Sequence, residues 1–405
     1  MPETSWLQSA SPAFRLMIAT SWLAPASWQD KQEEAIRETI GAGVDWMEYI
    51  RLVDRHRTPA LSWAALKRVP GLQIPEPARQ ELQKRSDACR MQAVRHCLLL
   101  AGVLKNFNRA GIPVMTMKGP ILSSELYGDV GLRQSHDLDL AVTLEDLPRA
   151  QACLEKMGWR LDSTWFPLSP RQWESLLRHE WHLSYVHPHG ASLLELHWRN
   201  PSEPPGPISA RWARSFLSVW QGYFLQAMNP IDMVLYLCSH GAGGEHAWIR
   251  AKWLGDLAGI HAEGQVDWEA ALGEAWRTGQ ERALLASLRL LDLVYGLPLP
   301  GLPGDPWKDL PSLLIERPLH NLKAYEEPVT VISAASLINR LRMSRYERLL
   351  LSRKAWRARL SRLFYRREDF RMLRLPDGLF WAYVPLHPIL WVWRRVLRRR
   401  PASSG

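Results

Sequence analysis

The stretch IPVMTMKGPILSSELYGDVGLRQSHDLDLAV, residues 112–142, decides the fold because its hydrophobic period changes several times. Its first seven residues form an apolar, partly β-branched run, which predicts a buried strand. Gly119 and Pro120 then open a helix, since proline suits the first helical turn. A loop with two glycines and a second apolar run follow. The stretch therefore predicts a strand, a helix, a loop and a strand at residues 112–118, 119–127, 128–135 and 137–142.

On the N-terminal side of this stretch, residues 1 to about 110 have the apolar spacing of amphipathic helices. The pattern is clearest in residues 31–52 and 89–107. Ala110-Gly111 follows the second of these runs and is a typical helix stop. On the C-terminal side, the pattern predicts a helix at residues 145–157 and a possible third strand at residues 158–162.

A hairpin is predicted farther along the chain, where residues 181–187 and 192–198 flank Pro188-His189-Gly190. After Pro207 we expect only helices. The predicted fold class is α+β, with a small mixed β-sheet core flanked by N-terminal and C-terminal helical regions. The expected units are an N-terminal helical region, an α/β core, a second helical region and a basic, aromatic-rich segment, at residues 1–110, 111–206, 207–310 and 311–405.

Composition limits the class of protein. With 405 residues, of which 46% are hydrophobic, the chain can bury a large core and is expected to be a folded globular protein. Its four cysteines lie far apart, which indicates neither a disulfide framework nor a zinc ribbon and favours a reducing cytoplasm. An apolar patch at residues 16–26 is a poor secretory signal, since Ser21 interrupts it. No apolar run reaches the roughly 18 residues of a transmembrane helix.

The net charge of +10 is concentrated near the C-terminus. Residues 340–400 contain 18 lysines and arginines against four acidic residues, a local charge of +14 that leaves −4 for the rest of the chain. Three interpretations stay open: helices packed on the core with a solvated basic face, nucleic-acid binding, or contact with an anionic surface such as a membrane. The apolar run at residues 379–397 is broken by prolines, so it would lie on a membrane and not span it.

Two carboxylates in the second predicted strand could form a metal centre. Side chains alternate along a strand, so Asp137 and Asp139 point to one side, about 7 Å apart, while Leu138 and Leu140 point to the core. Such a pair suits two divalent ions that bridge a triphosphate, and Mg²⁺ prefers hard oxygen ligands. A D-x-D pattern alone is more typical of a solvated strand end, and its sequence context favours the metal centre.

The residues before the helix at 119–127 could bind phosphate. Lys118-Gly119-Pro120 lies at a helix N-terminus, where free N–H groups and the helix dipole attract anions. Glycine lets a phosphate approach the backbone, and Lys118 could add a positive charge. An ordinary turn between strand and helix is the alternative.

A third carboxylate occurs in the predicted hairpin. Glu195 and His197 share one face of their strand, opposite Leu194, Leu196 and Trp198. If this strand pairs beside residues 137–142, Glu195 completes a triad and could bind the metal or accept a proton from a nucleophile. Otherwise Glu195 is a surface acid.

These residues carry a resemblance to a known family. The motifs are MKGP at residues 117–120, LYGD at 126–129, RQSHDLDLAV at 133–142 and LELHW at 194–198. They resemble the bacterial uncharacterised nucleotidyltransferase family of the DNA polymerase beta superfamily. GVDW at residues 43–46, LCSH at 237–240 and WIRAKW at 248–253 extend the likeness over most of the chain. Lys118-Gly119 stands where the superfamily usually has Gly-Ser, so a serine hydroxyl is absent from the phosphate contacts.

The resemblance implies an enzyme that uses Mg²⁺ or Mn²⁺ and a nucleoside triphosphate. It implies metal binding by Asp137 and Asp139, the third carboxylate role for Glu195, and phosphate contact near Gly119. Arg133 and His240 are further predicted partners of phosphate or acceptor. The acceptor could be a small molecule, a protein or RNA, and the competing hypothesis is a non-catalytic nucleotide- or RNA-binding protein.

Three other polar patterns have competing interpretations. Five histidines, His179, His182, His187, His189 and His197, could suggest zinc, but no H-E-x-x-H motif occurs, and a hairpin that shapes the site is the preferred interpretation.

HGAGGEH at residues 240–246 lacks the Lys-Ser/Thr pair of a phosphate loop. It indicates the end of a helix followed by a turn. Arg250, Lys252 and Asp256 have helical spacing and could form either a solvated face or a face toward the site.

Overall fold

A computed structural model describes residues 5–162, 166–187, 193–199, 209–243, 246–324 and 366–398. The chain begins with helices, as predicted: α1 Ser5–Gln8, α2 Pro12–Thr20, α3 Ala26–Gly41, α4 Trp46–His56, α5 Pro59–Arg68 and α6 Glu76–Arg109. The helical pattern of residues 31–52 belongs to two helices, α3 and α4. Asp45 begins α4 because its carboxylate accepts hydrogen bonds from the backbone of Met47 and Glu48.

A seven-stranded mixed sheet follows α6. Its strands are β1 Met115–Thr116, β2 Asp137–Ala141, β3 Arg160–Leu161, β4 His182–Val186, β5 Leu193–His197, β6 Phe216–Trp220 and β7 Tyr223–Ala227, in the order β3-β4-β5-β2-β1-β7-β6. The pairs β2–β5 and β1–β7 are parallel and the other pairs are antiparallel. The helices between the strands are α7 Pro120–Tyr127, α8 Leu147–Lys156, α9 Pro170–His179 and α10 Ser209–Arg214.

The elements predicted around the deciding stretch are confirmed, with shorter bounds. The helix after Gly119 and the strand that carries the two aspartates lie where the pattern predicts them. The possible third strand is β3, and the predicted hairpin strands pair as β4 and β5, although residues 188–192 between them lie outside the described part. The run at residues 112–118 contributes only two residues to the sheet.

The expectation that residues after Pro207 are entirely helical is wrong at residues 216–227. There β6 and β7 form a hairpin that extends the sheet beyond β1. Its turn is Gln221-Gly222, both with positive φ, 48° and 83°, which matches the twist of a two-residue hairpin. The strand pattern is weak because β6 is an edge strand with exposed apolar side chains on both faces, such as Phe216 and Leu217.

The helices after the sheet are α11 Pro230–Ala242, α12 Ala251–Ala262, α13 Trp268–Thr278, α14 Glu281–Tyr295, α15 Leu313–Lys323, α16 Arg367–Met372 and α17 Tyr383–Arg398, with a 3₁₀ helix at Asp377–Ala382 before α17. Helices α11, α12 and α14 share one hydrophobic core with α2, α4 and α5. Within the described residues, no helix is long and apolar enough to cross a bilayer.

The two faces of the central strands pack against different hydrophobic cores. Leu138 and Leu140 of β2 are buried in a core between the sheet, α6 and α8. Ala141, on the other face of β2, is part of the core shared by the N-terminal helices and the helices after the sheet. The face of β2 that carries Asp137 and Asp139 therefore lies toward this helical body.

Candidate active site

The three predicted carboxylates lie together on one face of the sheet. Strands β2 and β5 are parallel neighbours, and Asp139 is directly opposite Glu195 in the register. Asp137, Asp139 and Glu195 each place one carboxylate oxygen within 4.8 Å of the others. Their strand neighbours Leu138 and Leu194 are buried on the opposite face, as the alternation of a strand requires. The predicted pairing of the two strands is thus confirmed.

Lys118 contacts this cluster through Asp139. Its Nζ is 3.0 Å from Oδ2 of Asp139 and 3.5 Å from Nε2 of His240, and its side chain is only 11% exposed. Burial alone would lower the pKa of Lys118, but the Asp139 carboxylate raises it above the usual value. Lys118 is therefore a buried ammonium ion at the carboxylate edge of the site.

Gly119 begins α7 in a conformation that favours glycine. Its φ is +77° and its ψ is −144°, and Pro120 occupies the first turn of the helix. The turn brings Lys118, which follows β1 by two residues, next to Asp139 of β2, and α7 begins two residues after Lys118. The predicted combination of a lysine and a helix N-terminus is present, and its contact with phosphate stays a prediction.

His197 connects two of the carboxylates. Its Nε2 is 3.2 Å from Oδ1 of Asp139 and 3.2 Å from Oε2 of Glu195. Burial would lower the pKa of His197, but the hydrogen bonds to Asp139 and Glu195 raise it to about 9. The sequence places His197 on the same face as Glu195 and among five histidines that could suggest zinc, but it does not predict the contact with Asp139. The E-L-H spacing was the available signal for its place in the cluster.

The carboxylates differ in how easily they ionise. Burial raises the pKa of Asp139, but Lys118 and His197 outweigh it and hold that pKa well below its usual value. Burial also opposes ionisation of Glu195, yet the hydrogen bond from His197 lowers its pKa. Asp137 has a raised pKa because of burial and the nearby charge of Asp139. The cluster therefore combines two ionised carboxylates with one that protonates more readily.

Arg133 is held away from solvent behind the cluster. Its Nε donates a hydrogen bond to Oδ2 of Asp256 at 2.9 Å, and both side chains are at most 2% exposed. Tyr127 donates to the other oxygen of Asp256 at 3.1 Å, and Lys252 donates to the carbonyl of Gln134 at 2.9 Å. These contacts fasten the loop before β2 to α12. The predicted contact of Arg133 with phosphate or acceptor stays a prediction.

The alternatives for the polar face of α12 are now resolved. Lys252 and Asp256 are buried, at 5% and 0% exposure, so this face is turned inward and is not solvated. Burial and the positive charge of Arg133 lower the pKa of Lys252 well below its usual value. The face acts as a support for the loop that leads into Asp137.

His240 lies at the end of α11 beside Lys118. Its ring is 4.2 Å from the ring of His246 and 5.4 Å from that of Trp253, measured between centroids. Burial, together with the positive charge of Lys118, holds the pKa of His240 well below its usual value. His240 is therefore a neutral ring that closes one side of the site, and its phosphate contact stays a prediction.

The described part of the C-terminal segment is anchored to the α/β core. Tyr383 is fully buried, and its hydroxyl accepts a hydrogen bond from Gln172 of α9 at 2.8 Å. Asp377 accepts a hydrogen bond from Ser169 at the start of α9. Beyond this anchor, the described side chains of α17 and the 3₁₀ helix include six large apolar ones that are 42–62% exposed: Leu379, Trp381, Ile389, Trp391, Val392 and Trp393.

Comparison with known proteins gives one family match. Residues 42–296 match the family described as uncharacterised nucleotidyltransferase, and this range contains every predicted site residue. No curated protein matches the chain. The chain is 15% identical in sequence to the antibiotic-resistance factor ANT(2'')-Ia, which has a solution structure. The alignment covers 50% of this chain and 89% of that protein, and the TM-score is 0.26. Because the match covers more than half of the chain, the protein belongs to the uncharacterised nucleotidyltransferase family, a family of transferases.

Proposed function

We propose that the protein transfers a nucleoside monophosphate from a nucleoside triphosphate to an acceptor and releases pyrophosphate. The convergence of Asp137, Asp139 and Glu195 carries this proposal, and family membership supports it. A nucleophilic oxygen of the acceptor would form a bond to the α-phosphorus while the bond to the departing pyrophosphate breaks. Small molecules, proteins and RNA all carry hydroxyl groups that could act in this way.

The donor set fits a divalent cation with a preference for oxygen. Three carboxylates on two adjacent strands offer one oxygen each within 4.8 Å, and Mg²⁺ or Mn²⁺ is bound by such ligands. A cation bound there would neutralise triphosphate charge and polarise the phosphoryl group. Asp137, Asp139 and Glu195 are the residues that would hold it.

The remaining groups would bind the triphosphate and the acceptor. Lys118 contacts Asp139, and α7 begins two residues after it, so the ammonium group and the N–H groups at the start of α7 would bind phosphate oxygens. Glu195, whose side chain is 23% exposed, would orient the nucleophile and accept its proton. A cation on Asp139 would weaken the ion pair with Lys118, which would leave the ammonium group for phosphate.

Nucleotide binding provides the direct test. Isothermal titration with ATP or GTP in the presence of Mg²⁺ would compare the wild type, Asp137→Ala and the control Asp87→Ala, which removes an exposed acid of α6. We expect Asp137→Ala to weaken binding at least tenfold and Asp87→Ala to leave it unchanged. Thermal unfolding of each variant verifies folding. Equal binding by wild type and Asp137→Ala would reject the site.

A second experiment separates catalysis from binding alone. The protein would be incubated with each labelled nucleoside triphosphate and a cell extract, with and without Mg²⁺. We expect a labelled adduct that requires Mg²⁺ and is absent with Asp139→Asn. If nucleotides bind but none of the four yields an adduct, the competing hypothesis of a non-catalytic nucleotide- or RNA-binding protein is favoured.

We also propose that the C-terminal surface contacts an anionic membrane. Pro385, Pro388, Ile389 and Val392 are exposed at helical spacing on α17, so they form an apolar stripe on one face. Arg395 is exposed beside it, over the ring of Trp391 at 4.1 Å, and the chain continues with Arg398, Arg399 and Arg400. An apolar stripe bordered by tryptophan and arginine suits the interface of an anionic bilayer better than a nucleic-acid backbone.

A further inference from the structure

A second group of possible cation ligands shares Glu195 with the carboxylate centre. His182, Glu195 and His197 each place one ligand atom within 4.8 Å of the others. Nε2 of His197 is 3.2 Å from Oε2 of Glu195, and Nε2 of His182 is 3.8 Å from Oε1 of Glu195. Ligands of one tetrahedral cation with bonds of about 2.1 Å stand roughly 3.4 Å apart, so these distances need little adjustment.

The register of the hairpin creates this group. His182 of β4 and His197 of β5 are directly opposite residues, and their ring centroids are 5.0 Å apart. Glu195 lies two residues before His197 and therefore on the same face. Leu183 and Leu196, which alternate with these ligands, are completely buried on the other side. The ligands are thus held by two regular strands whose other face is fixed in the core.

Asp139 of β2 contacts this group through one of its members, since Oδ1 of Asp139 is 3.2 Å from Nε2 of His197. The group itself contains two imidazole nitrogens and one carboxylate from two adjacent strands. Imidazole suits first-row transition metals such as Fe²⁺, Ni²⁺ and Zn²⁺, whereas Mg²⁺ takes oxygen ligands. The nitrogen donors therefore make this group chemically different from the set formed by Asp137, Asp139 and Glu195.

We propose that His182, Glu195 and His197 bind a divalent transition-metal cation beside the oxygen-only centre. The proposal rests on the proposed function in one respect, because Glu195 serves both groups. The site would hold two cations that differ in their preferred ligand atoms. One would be bound by oxygen atoms alone, and the other by nitrogen and oxygen atoms. Glu195 would bridge them and so fix the distance between them.

Cobalt binding tests the proposal without any measurement of activity. The full chain would be titrated with Co²⁺ in the presence of millimolar Mg²⁺, by calorimetry and by the visible absorption of the bound cobalt. The variants are His182→Gln, which removes a ligand that is 21% exposed, and the control His320→Gln, which removes an exposed histidine of α15. Thermal unfolding would confirm that each variant is folded.

We expect the wild type and His320→Gln to bind one Co²⁺ with the same affinity and spectrum. His182→Gln should bind at least tenfold more weakly and lose the absorption of a nitrogen-bound cobalt. Equal affinity and an equal spectrum for wild type and His182→Gln would overturn the proposal. So would the absence of Co²⁺ binding by the wild type.

Asp137→Asn separates this proposal from the proposed function. Asp137 belongs only to the oxygen-only group, so this variant should lose Mg²⁺-dependent nucleotide binding and keep Co²⁺ binding. Retained nucleotide binding by Asp137→Asn together with loss of cobalt in His182→Gln would reject the proposed function and support the transition-metal site. The reverse pattern would reject the transition-metal site alone.

Discussion

Lys118 neutralises the most deeply buried acid of the candidate site. The ammonium group and the Asp139 carboxylate are 3.0 Å apart, with side-chain exposures of 11% and 2%. A buried ion pair contributes little compared with a well-packed apolar pair, but removal of one partner leaves an uncompensated charge. Lys118 therefore has a structural role in addition to its proposed contact with phosphate.

Replacement of this lysine should destabilise the protein in a manner that depends on cations. We expect Lys118→Met to lower the free energy of unfolding by about 3–5 kcal/mol in the presence of EDTA. With saturating Mg²⁺ the loss should be smaller, since a cation bound by Asp139 would replace the positive charge that the variant lacks. Urea unfolding measures both values, with Lys84→Met of the exposed face of α6 as the control. An equal loss with and without Mg²⁺ would contradict cation binding by Asp139.

His56 is a buried neutral histidine far along the chain from the site. Its Nδ1 accepts a hydrogen bond from the backbone of Ala251 at 3.0 Å, which joins α4 to the start of α12. Burial, followed by the charges of Arg55 and Arg250, lowers the pKa of His56 to about 3. Between the usual value near 6.5 and this lower value, the unfolded chain binds a proton that the folded chain does not.

The stability of the protein should therefore decrease as the pH falls from about 6.5 toward 3. His56 should account for a slope of up to about 1.4 kcal/mol per pH unit in this window. Urea unfolding at several pH values would compare the wild type with His56→Gln, whose amide does not titrate. We expect a smaller slope for the variant, because other buried histidines continue to contribute. Identical slopes would show that folding does not lower the pKa of His56.

At the scale of elements, α17 combines an anchored face with an exposed one. Leu390 is buried, whereas Ile389 and Val392 are 61% and 53% exposed. The anchored face is held by Asp369, which contacts both His387 and Arg394. Because these contacts hold one face of α17 against the protein, the opposite face can contact a flat surface such as a membrane.

Vesicle sedimentation tests the proposed membrane contact. We expect the protein to bind vesicles that contain phosphatidylserine, and to bind less at high salt because screening weakens attraction to anionic lipid. The double variant Ile389→Glu and Val392→Glu should lose most of this binding. The control Met91→Glu, at an exposed position of α6, should retain it. Binding to RNA but not to vesicles would reject the membrane contact in favour of nucleic acid.

At the scale of the whole molecule, the helices before and after the sheet form one body that closes over the carboxylate face. Gly255 of α12 approaches α2 so closely that an added Cβ would be 2.4 Å from the carbonyl oxygen of Ser21. Its neighbour Asp256 holds Arg133 of the loop before β2. The contact between α2 and α12 therefore supports the site from behind.

Substitution of this glycine should disturb both stability and the site. We expect Gly255→Ala to lower the free energy of unfolding by about 1–3 kcal/mol, because the backbone of Ser21 must move. Gly259→Ala, on the same helix with no atom near the new Cβ, should be neutral or stabilising by up to about 1 kcal/mol. Urea unfolding measures both. Equal stability of the two variants would show that α2 and α12 are not in close contact in solution.

The sequence alone determined the features that depend on neighbouring residues. Alternation along β2 put Asp137 and Asp139 on one face, and Gly119-Pro120 marked the start of α7. The hydrophobic period and the residue types at turns are local properties of the sequence, so they can be recognised without knowledge of the fold. The hairpin of β6 and β7 lacked such a local signal, because its edge strand exposes apolar residues and its turn is Gln-Gly.

Only the tertiary structure decided which distant groups meet. Lys118 and His197 both contact Asp139, and Arg133 pairs with Asp256, a residue 123 positions away. Strand register and burial determine these partnerships and hence the charge of each group. The sequence therefore determined which residues carry the chemistry, whereas the packing of the sheet against the helical body determined their partners, because burial makes each charge depend on whatever lies next to it.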